Sequence, residues 1–91
     1  MTRRLNICIP RINESVTRQD IFRVFRDFNF GKINKVVIKG DRDSRCVFIN
    51  YDSWYTNVPW VKNIYDRLMD GNDIKIIYNT PWHWRCVKSK T

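Results

Sequence analysis

The chain of 91 residues has few of the residues from which enzyme and metal sites are usually built. It contains one histidine, three glycines and three cysteines. It has no nucleophile–base motif and no glycine-rich loop of the kind that binds phosphate groups. Cys8, Cys46 and Cys86 lie far apart, so no two of them have the close spacing of a zinc ligand pair. These absences predict a protein that is not an enzyme and holds no cofactor or metal.

Long apolar segments are also missing. No run of about 18 apolar residues is present, which argues against a membrane-spanning helix. Residues 1–4 lead directly into a strand-like pattern, without the apolar region of a signal peptide. The odd number of cysteines favours free thiols over a disulfide framework. Together these features predict a soluble, intracellular protein with no membrane partner.

Positive charge and aromatic side chains are what the chain does contain. Seventeen Lys and Arg stand against nine Asp and Glu, which gives a net charge of +8. Five Phe, four Tyr and four Trp contribute to an apolar fraction of 43%, enough for one globular core. The charge favours polyanionic partners, although a basic surface that merely keeps the protein soluble is the alternative.

Hydrophobic periodicity predicts the order β-α-β-β-α-β followed by a tail. Alternating apolar residues predict four strands, at 5–9, 32–39, 44–51 and 74–78. Apolar residues spaced three and four apart predict two helices, which begin near Thr17 and Asn57.

The predicted helices have recognisable ends. Thr17 and Asp20 have the spacing of a capping box, and Gly31 is placed for a left-handed turn after the first helix. Pro59 suits the first turn of the second helix, and Gly71 would stop it.

This element order predicts one α+β domain, residues 1–91, with a core at about 5–79 and an extension at 80–91. Right-handed crossovers would place both helices on one face of a four-stranded antiparallel sheet, in a ferredoxin-like arrangement. The alternating tail would add an edge strand or lie across the sheet. The other face of the sheet is left uncovered.

The third predicted strand, SRCVFINY at Ser44–Tyr51, has two different faces. Its inward set is Val47, Ile49 and Tyr51, and the residues between them point to the uncovered face.

The stretch from residue 5 to residue 79 resembles an RNA recognition motif (RRM), a family whose first and third strands carry exposed aromatics that stack on bases. When SRCVFINY is laid on the family's third-strand octamer, Phe48 falls on an exposed stacking position. Cys46 stands at the other one, and Arg45 replaces the family's glycine. On the first strand, ICIPRI at 7–12 places Cys8 at the aromatic position. The resemblance therefore implies one stacking position of three and weak RNA binding.

Three segments, IPRI, FINYDSW and KIIYNTPWHWRCVKSK, also resemble a group of small RRM-like proteins encoded by large DNA viruses. That resemblance implies a setting in the host cytoplasm, a virus factory or a virion, and it implies no ligand.

The predicted nucleic-acid-binding residues combine lysines for phosphates with one aromatic ring for a base. They are Phe48, Asn6, Asn50, Lys35, Lys39, Arg45 and Lys75. We expect weak, salt-sensitive binding of single-stranded RNA or DNA with little sequence preference.

The alternative is a protein-interaction or virion-structural module, with a protein partner or self-association. Its predicted contacts are Cys8, Val37, Cys46, Ile77, Trp82 and Trp84. For the two tryptophans, packing within the chain is the simpler interpretation, with the tail lying across the uncovered face and Trp82 or Trp84 lying on Phe48. Cys8 and Cys46, expected to be neighbours, could form a disulfide or join His83 and Cys86 in a zinc site if the tail folds over.

Overall fold

The computed structural model describes residues 5–13, 15–40, 44–79 and 82–89, and of Asn79 and Trp82 it describes the backbone. Five strands and two helices follow in the order β1 (Ile7–Ile9), α1 (Arg18–Phe28), β2 (Gly31–Gly40), β3 (Arg45–Trp54), α2 (Pro59–Met69), β4 (Ile74–Asn79) and β5 (Trp82–Lys88). The α+β class is confirmed, with one strand more than predicted. The turn predicted at 41–43 lies outside the described residues.

The predicted capping box of α1 is present. Thr17 Oγ1 accepts a hydrogen bond from the Asp20 N–H at 3.2 Å, and Asp20 Oδ2 accepts one from the Thr17 N–H at 3.0 Å. Hydrogen bonds from Thr17 lower the pKa of the Asp20 carboxyl. The predicted end of the helix is wrong, because Asn29 adopts the left-handed conformation with φ 57°. Asn tolerates that conformation, and Gly31 is thereby free to begin β2.

Replacing Thr17 with Ala is expected to cost about 1 kcal/mol of unfolding free energy, since the Asp20 N–H at the helix start loses its partner, the Thr17 hydroxyl. Urea denaturation followed by circular dichroism measures this loss. Thr17→Ser is the matched control, because a serine hydroxyl can make the same bond. Equal stability of the Ala and Ser variants would contradict this account of the helix start.

The second helix begins at Pro59, two residues after the predicted start near Asn57, and it ends before Gly71 as predicted. Pro59 is its first residue, where the missing N–H costs nothing, and Gly71 follows it with φ 88°. Val61 and Leu68 are fully buried on its inner side.

The strand order is β2-β3-β1-β5-β4, and every neighbouring pair is antiparallel. The predicted β2–β3 hairpin and the central β1–β3 pair are confirmed. The predicted place of the tail is wrong, because β5 is an interior strand between β1 and β4.

Burial explains why β5 rather than β4 is interior. The inward residues of β5, Trp84 and Cys86, are 3% and 0% exposed, whereas those of β4, Ile74 and Ile76, are 9% and 3% exposed, and the outward Ile77 is 59% exposed. Hydrophobic burial therefore favours the strand with the more completely enclosed side chains beside β1, and it leaves β4 at the edge.

One apolar core lies between the sheet and both helices, which confirms that the helices share a face. Its largest fully buried side chains include Tyr51, Phe25 and Phe30. Trp84 stacks on Tyr78 at 4.1 Å between ring centroids and lies parallel to Phe25 at 6.3 Å. Within the described chain, no helix is long and apolar enough to cross a membrane.

Candidate functional site

The face of the sheet opposite the helices, called here the open face, carries a row of apolar side chains across four strands. The strand registers place Val37 beside Phe48, Phe48 beside Cys8, and Cys8 beside Val87. All four side chains are half-buried, so each offers part of its surface to a ligand. We call this set, Val37–Phe48–Cys8–Val87, the apolar row.

The apolar row differs from the predicted strip at one end. Val87, which was not predicted as a site residue, takes the place predicted for Ile77 because β5 lies between β1 and β4. Ile77 pairs instead with His83, and the pair Lys75–Arg85 separates it from the row. Alternation through 83–87 could have indicated which tail residues share a face, but not which strand they join.

Basic side chains lie on both sides of the apolar row. Lys39 Nζ is 5.5 Å from the centroid of the Phe48 ring, within the range of a cation–π contact. Lys35 is level with Asn50, and Lys75 is level with Arg85, a second residue that was not predicted. The three lysines and Arg85 are exposed. The open face therefore presents a hydrophobic centre with cationic flanks.

Two carboxylates on this side of the sheet are hydrogen-bonded to neighbours. Asp73 Oδ2 accepts a hydrogen bond from Arg85 Nε at 2.6 Å, which lowers the pKa of the Asp73 carboxyl. Asp52 Oδ1 accepts one from Asn34 Nδ2 at 2.8 Å. The charge of Arg85 is thus partly neutralised, whereas Lys39 remains over the aromatic ring.

Three predicted nucleic-acid contacts have different surroundings. Asn6 and Asn50 lie on the open face, but Asn6 Oδ1 accepts the Tyr51 N–H at 3.1 Å and so helps to hold β1 against β3. Arg45 alternates with Cys46 along β3 and therefore shares its side of the sheet with Val47. Its Nη1 donates to the carbonyl of Asn13 at 3.4 Å. Arg45, predicted as a nucleic-acid contact, therefore lies on the helix side of the sheet and not beside the other predicted contacts.

Trp84 is not a surface contact. Its side chain is 3% exposed, so its prediction as a partner contact is wrong and the alternative, packing within the chain, is confirmed for Trp84. It packs on Phe25 and Tyr78 and not on Phe48. Successive residues of a strand point to opposite faces, so Trp84 points into the core while its neighbours His83 and Arg85 point to the open face. The side chain of Trp82 lies outside the described residues. Among the other tryptophans, Trp60 is 46% exposed and lies 5.8 Å from the Phe30 ring.

The three cysteines are free and lie on two sides of the sheet. Cys8 and Cys46 are half-buried on the open face, where burial and the neighbouring Cys46 raise the pKa of the Cys8 thiol. Cys86 is buried beneath the helices, and burial raises the pKa of its thiol. The sheet separates the two sets, so the zinc site considered for Cys8, Cys46, Cys86 and His83 does not form. Across the described ranges, no group of three His, Cys, Asp or Glu is placed to hold a metal ion.

Fold and site together define a small α+β domain with two helices on one sheet face and a cationic, partly apolar surface on the other. Comparison of the chain with protein-family models, with curated proteins and with solved structures found no match.

Proposed function

We propose that the open face binds single-stranded nucleic acid, RNA in the first instance, with low affinity and little sequence preference. The observation that carries this proposal is the position of Phe48 in the apolar row with Lys39 beside its ring. An aromatic ring on a sheet can stack on any base, and a lysine beside it can contact the adjoining phosphate. The resemblance to the RRM family and to its ferredoxin-like arrangement supports the same reading.

The energetics of such a surface explain the low affinity. One stacked base contributes about 1–3 kcal/mol, and the row holds a single aromatic ring. The remaining attraction comes from Lys35, Lys39 and Lys75, whose contacts with phosphates are independent of sequence. Val37, Cys8 and Val87 add apolar contact without a hydrogen-bonding pattern that could select a base.

Amide resonances of the protein, titrated with a randomised single-stranded RNA pool at low and moderate salt, test this proposal. We expect shifts centred on Cys8, Lys39, Phe48 and Val87. We also expect a slope of log affinity against log salt of about −2, the value for three phosphate contacts on a single strand. An affinity unchanged by salt would rule out the phosphate contacts. Shifts confined to residues outside the open face would mean that net charge alone attracts RNA.

The second candidate function, a protein-interaction or virion-structural module, is favoured by the apolar surface itself. The side chains of the apolar row are half-buried, and no element among the described residues covers them. Ile77 is 59% exposed near the β4 edge. Burial of Trp84 removes one contact from this candidate. Light scattering distinguishes the two, because self-association through the apolar row would hide it from RNA.

We further propose that the chain is a binding module, not an enzyme, and that it works inside a cell. The three free thiols suit a reducing compartment.

A further inference from the structure

A second basic surface lies at the β2 edge of the sheet, on the helix side. The outer side of α1 and the edge of β2 border a groove of about 520 Å³. Among its lining residues are Arg18, Phe22, Arg23, Arg26 and Lys35. We call this the edge groove.

The edge groove is strongly cationic. Its described lining includes three arginines and one lysine but no carboxylate. Arg23 is paired with Asp20 at 3.1 Å, and both side chains are largely exposed. Asp20 also belongs to the capping box, so its charge is shared between Arg23 and the start of the helix. The groove is therefore complementary to an anion that extends over several charges.

Three of the lining residues form one stripe along α1. Arg18, Phe22 and Arg26 follow at intervals of four residues, so they lie above one another over about 12 Å of helix. Phe22 is 42% exposed between the two arginines. An exposed ring between guanidinium groups can stack on a base while its neighbours contact phosphates.

The position of Arg18 is not explained by helix stability. It is the first residue of α1, where the helix dipole disfavours a positive charge. Its side chain nevertheless lines the groove, at the end of the stripe. A ligand-binding role accounts for a cation at this place, and local helix energetics do not.

Lys35 connects the edge groove with the open face. It is level with Asn50 on the open face and also lines the groove, since β2 is an edge strand. We infer that the edge groove binds the phosphodiester backbone of the same single strand that the open face binds, with Phe22 as a second stacking ring. This inference rests on the proposed function and extends the binding path around the β2 edge.

Labelled oligouridylates of about 4 and about 16 nucleotides, the range of site sizes for single-strand-binding surfaces, provide the test. In the double variant Arg18→Gln, Arg26→Gln, we expect about 10-fold weaker binding of the long oligonucleotide. We also expect its salt slope to fall in magnitude by about 1.4, from about −3.5 with the groove to about −2 for the open face alone. The matched control, Lys62→Gln with Lys88→Gln, has the same net charge and alters α2 and β5, away from the groove. We expect the control to bind nearly as the unaltered protein does.

The double variant should fold normally. Gln and Arg have similar helix propensities, and the unfavourable dipole interaction lost with Arg18 offsets the favourable one lost with Arg26 in the last turn. An unchanged thermal midpoint would show that the weaker binding comes from lost contacts. In addition, Phe22→Ala should lower the affinity for the long oligonucleotide and leave the affinity for the short one unchanged.

The outcomes separate this inference from the proposed function. If the double variant and the control bind the long oligonucleotide equally well, the edge groove is not part of the path, and Phe48→Ala still tests the open face. If Phe48→Ala has no effect while the double variant loses affinity, the proposal that the open face binds nucleic acid is wrong. The groove then binds the strand alone, and the inferred path around the β2 edge is wrong as well. Displacement of the long oligonucleotide by polyglutamate at equal charge concentration would overturn the inference in favour of an acidic polypeptide.

Discussion

A chain that ends at Asn79 is expected not to fold, although residues 5–79 contain every element predicted for the core. Removing 80–91 deletes β5, which pairs with both β1 and β4. In the described sheet β4 is paired with β5 alone, so β4 loses its hydrogen-bonded neighbour. The core also loses Trp84 and Cys86, and a domain stabilised by about 5–15 kcal/mol does not tolerate such a loss. Circular dichroism and the dispersion of amide chemical shifts measure whether the shortened chain folds.

A pair of point variants tests the same conclusion without altering the chain length. Trp84→Ala is expected to lower the free energy of unfolding by about 3–5 kcal/mol, because it leaves a cavity between Phe25 and Tyr78. Trp60→Ala is the matched control, since that side chain is 46% exposed and should cost less than about 1 kcal/mol. Equal losses for the two tryptophans, together with a folded 1–79 chain, would show that β5 is not an integral part of the sheet.

Phe48→Ala is expected to reduce the affinity for single-stranded RNA about 5- to 140-fold, which corresponds to one stacked base at about 1–3 kcal/mol. The side chain lies on the open face and outside the buried core, so the variant should remain folded. Fluorescence anisotropy with a labelled oligonucleotide measures the change, and a urea titration verifies the fold.

Two variants serve as controls for Phe48→Ala. Phe48→Tyr keeps an aromatic ring and should retain most of the affinity. Ile77→Ala removes an exposed apolar side chain from the open face, outside the apolar row, and should change little. RNA affinity that survives Phe48→Ala, combined with altered light scattering, would favour the protein-interaction module.

Local features of this protein were predictable because their causes are local. The Thr17–Asp20 capping box, the start of α2 at Pro59 and the alternation of Val47, Phe48 and Ile49 each depend on residues within a few positions of one another. For the same reason, the side chains of β1, β2 and β3 that point to the open face were predicted correctly. A short turn and adjacent alternating strands leave few other pairings for the β2–β3 hairpin.

The order of the strands at the other end depended on tertiary structure. Alternation shows which side chains of the tail share a face, but it does not say which strand they lie beside. Burial of Trp84 and Cys86 against both helices decided that β5, and not β4, pairs with β1. That choice brought Val87 into the apolar row and placed Arg85 on the open face, which no local pattern indicated.

Local patterns in the sequence therefore predicted the helices, apart from the end of α1, together with the inward and outward residues of each strand and one aromatic ring on the open face. The neighbours of β5 and the meeting of α1 with the β2 edge around Lys35 depended on tertiary packing. The physical reason is that propensity and periodicity act over a few residues, whereas strand order follows from competition between distant apolar surfaces for the same core.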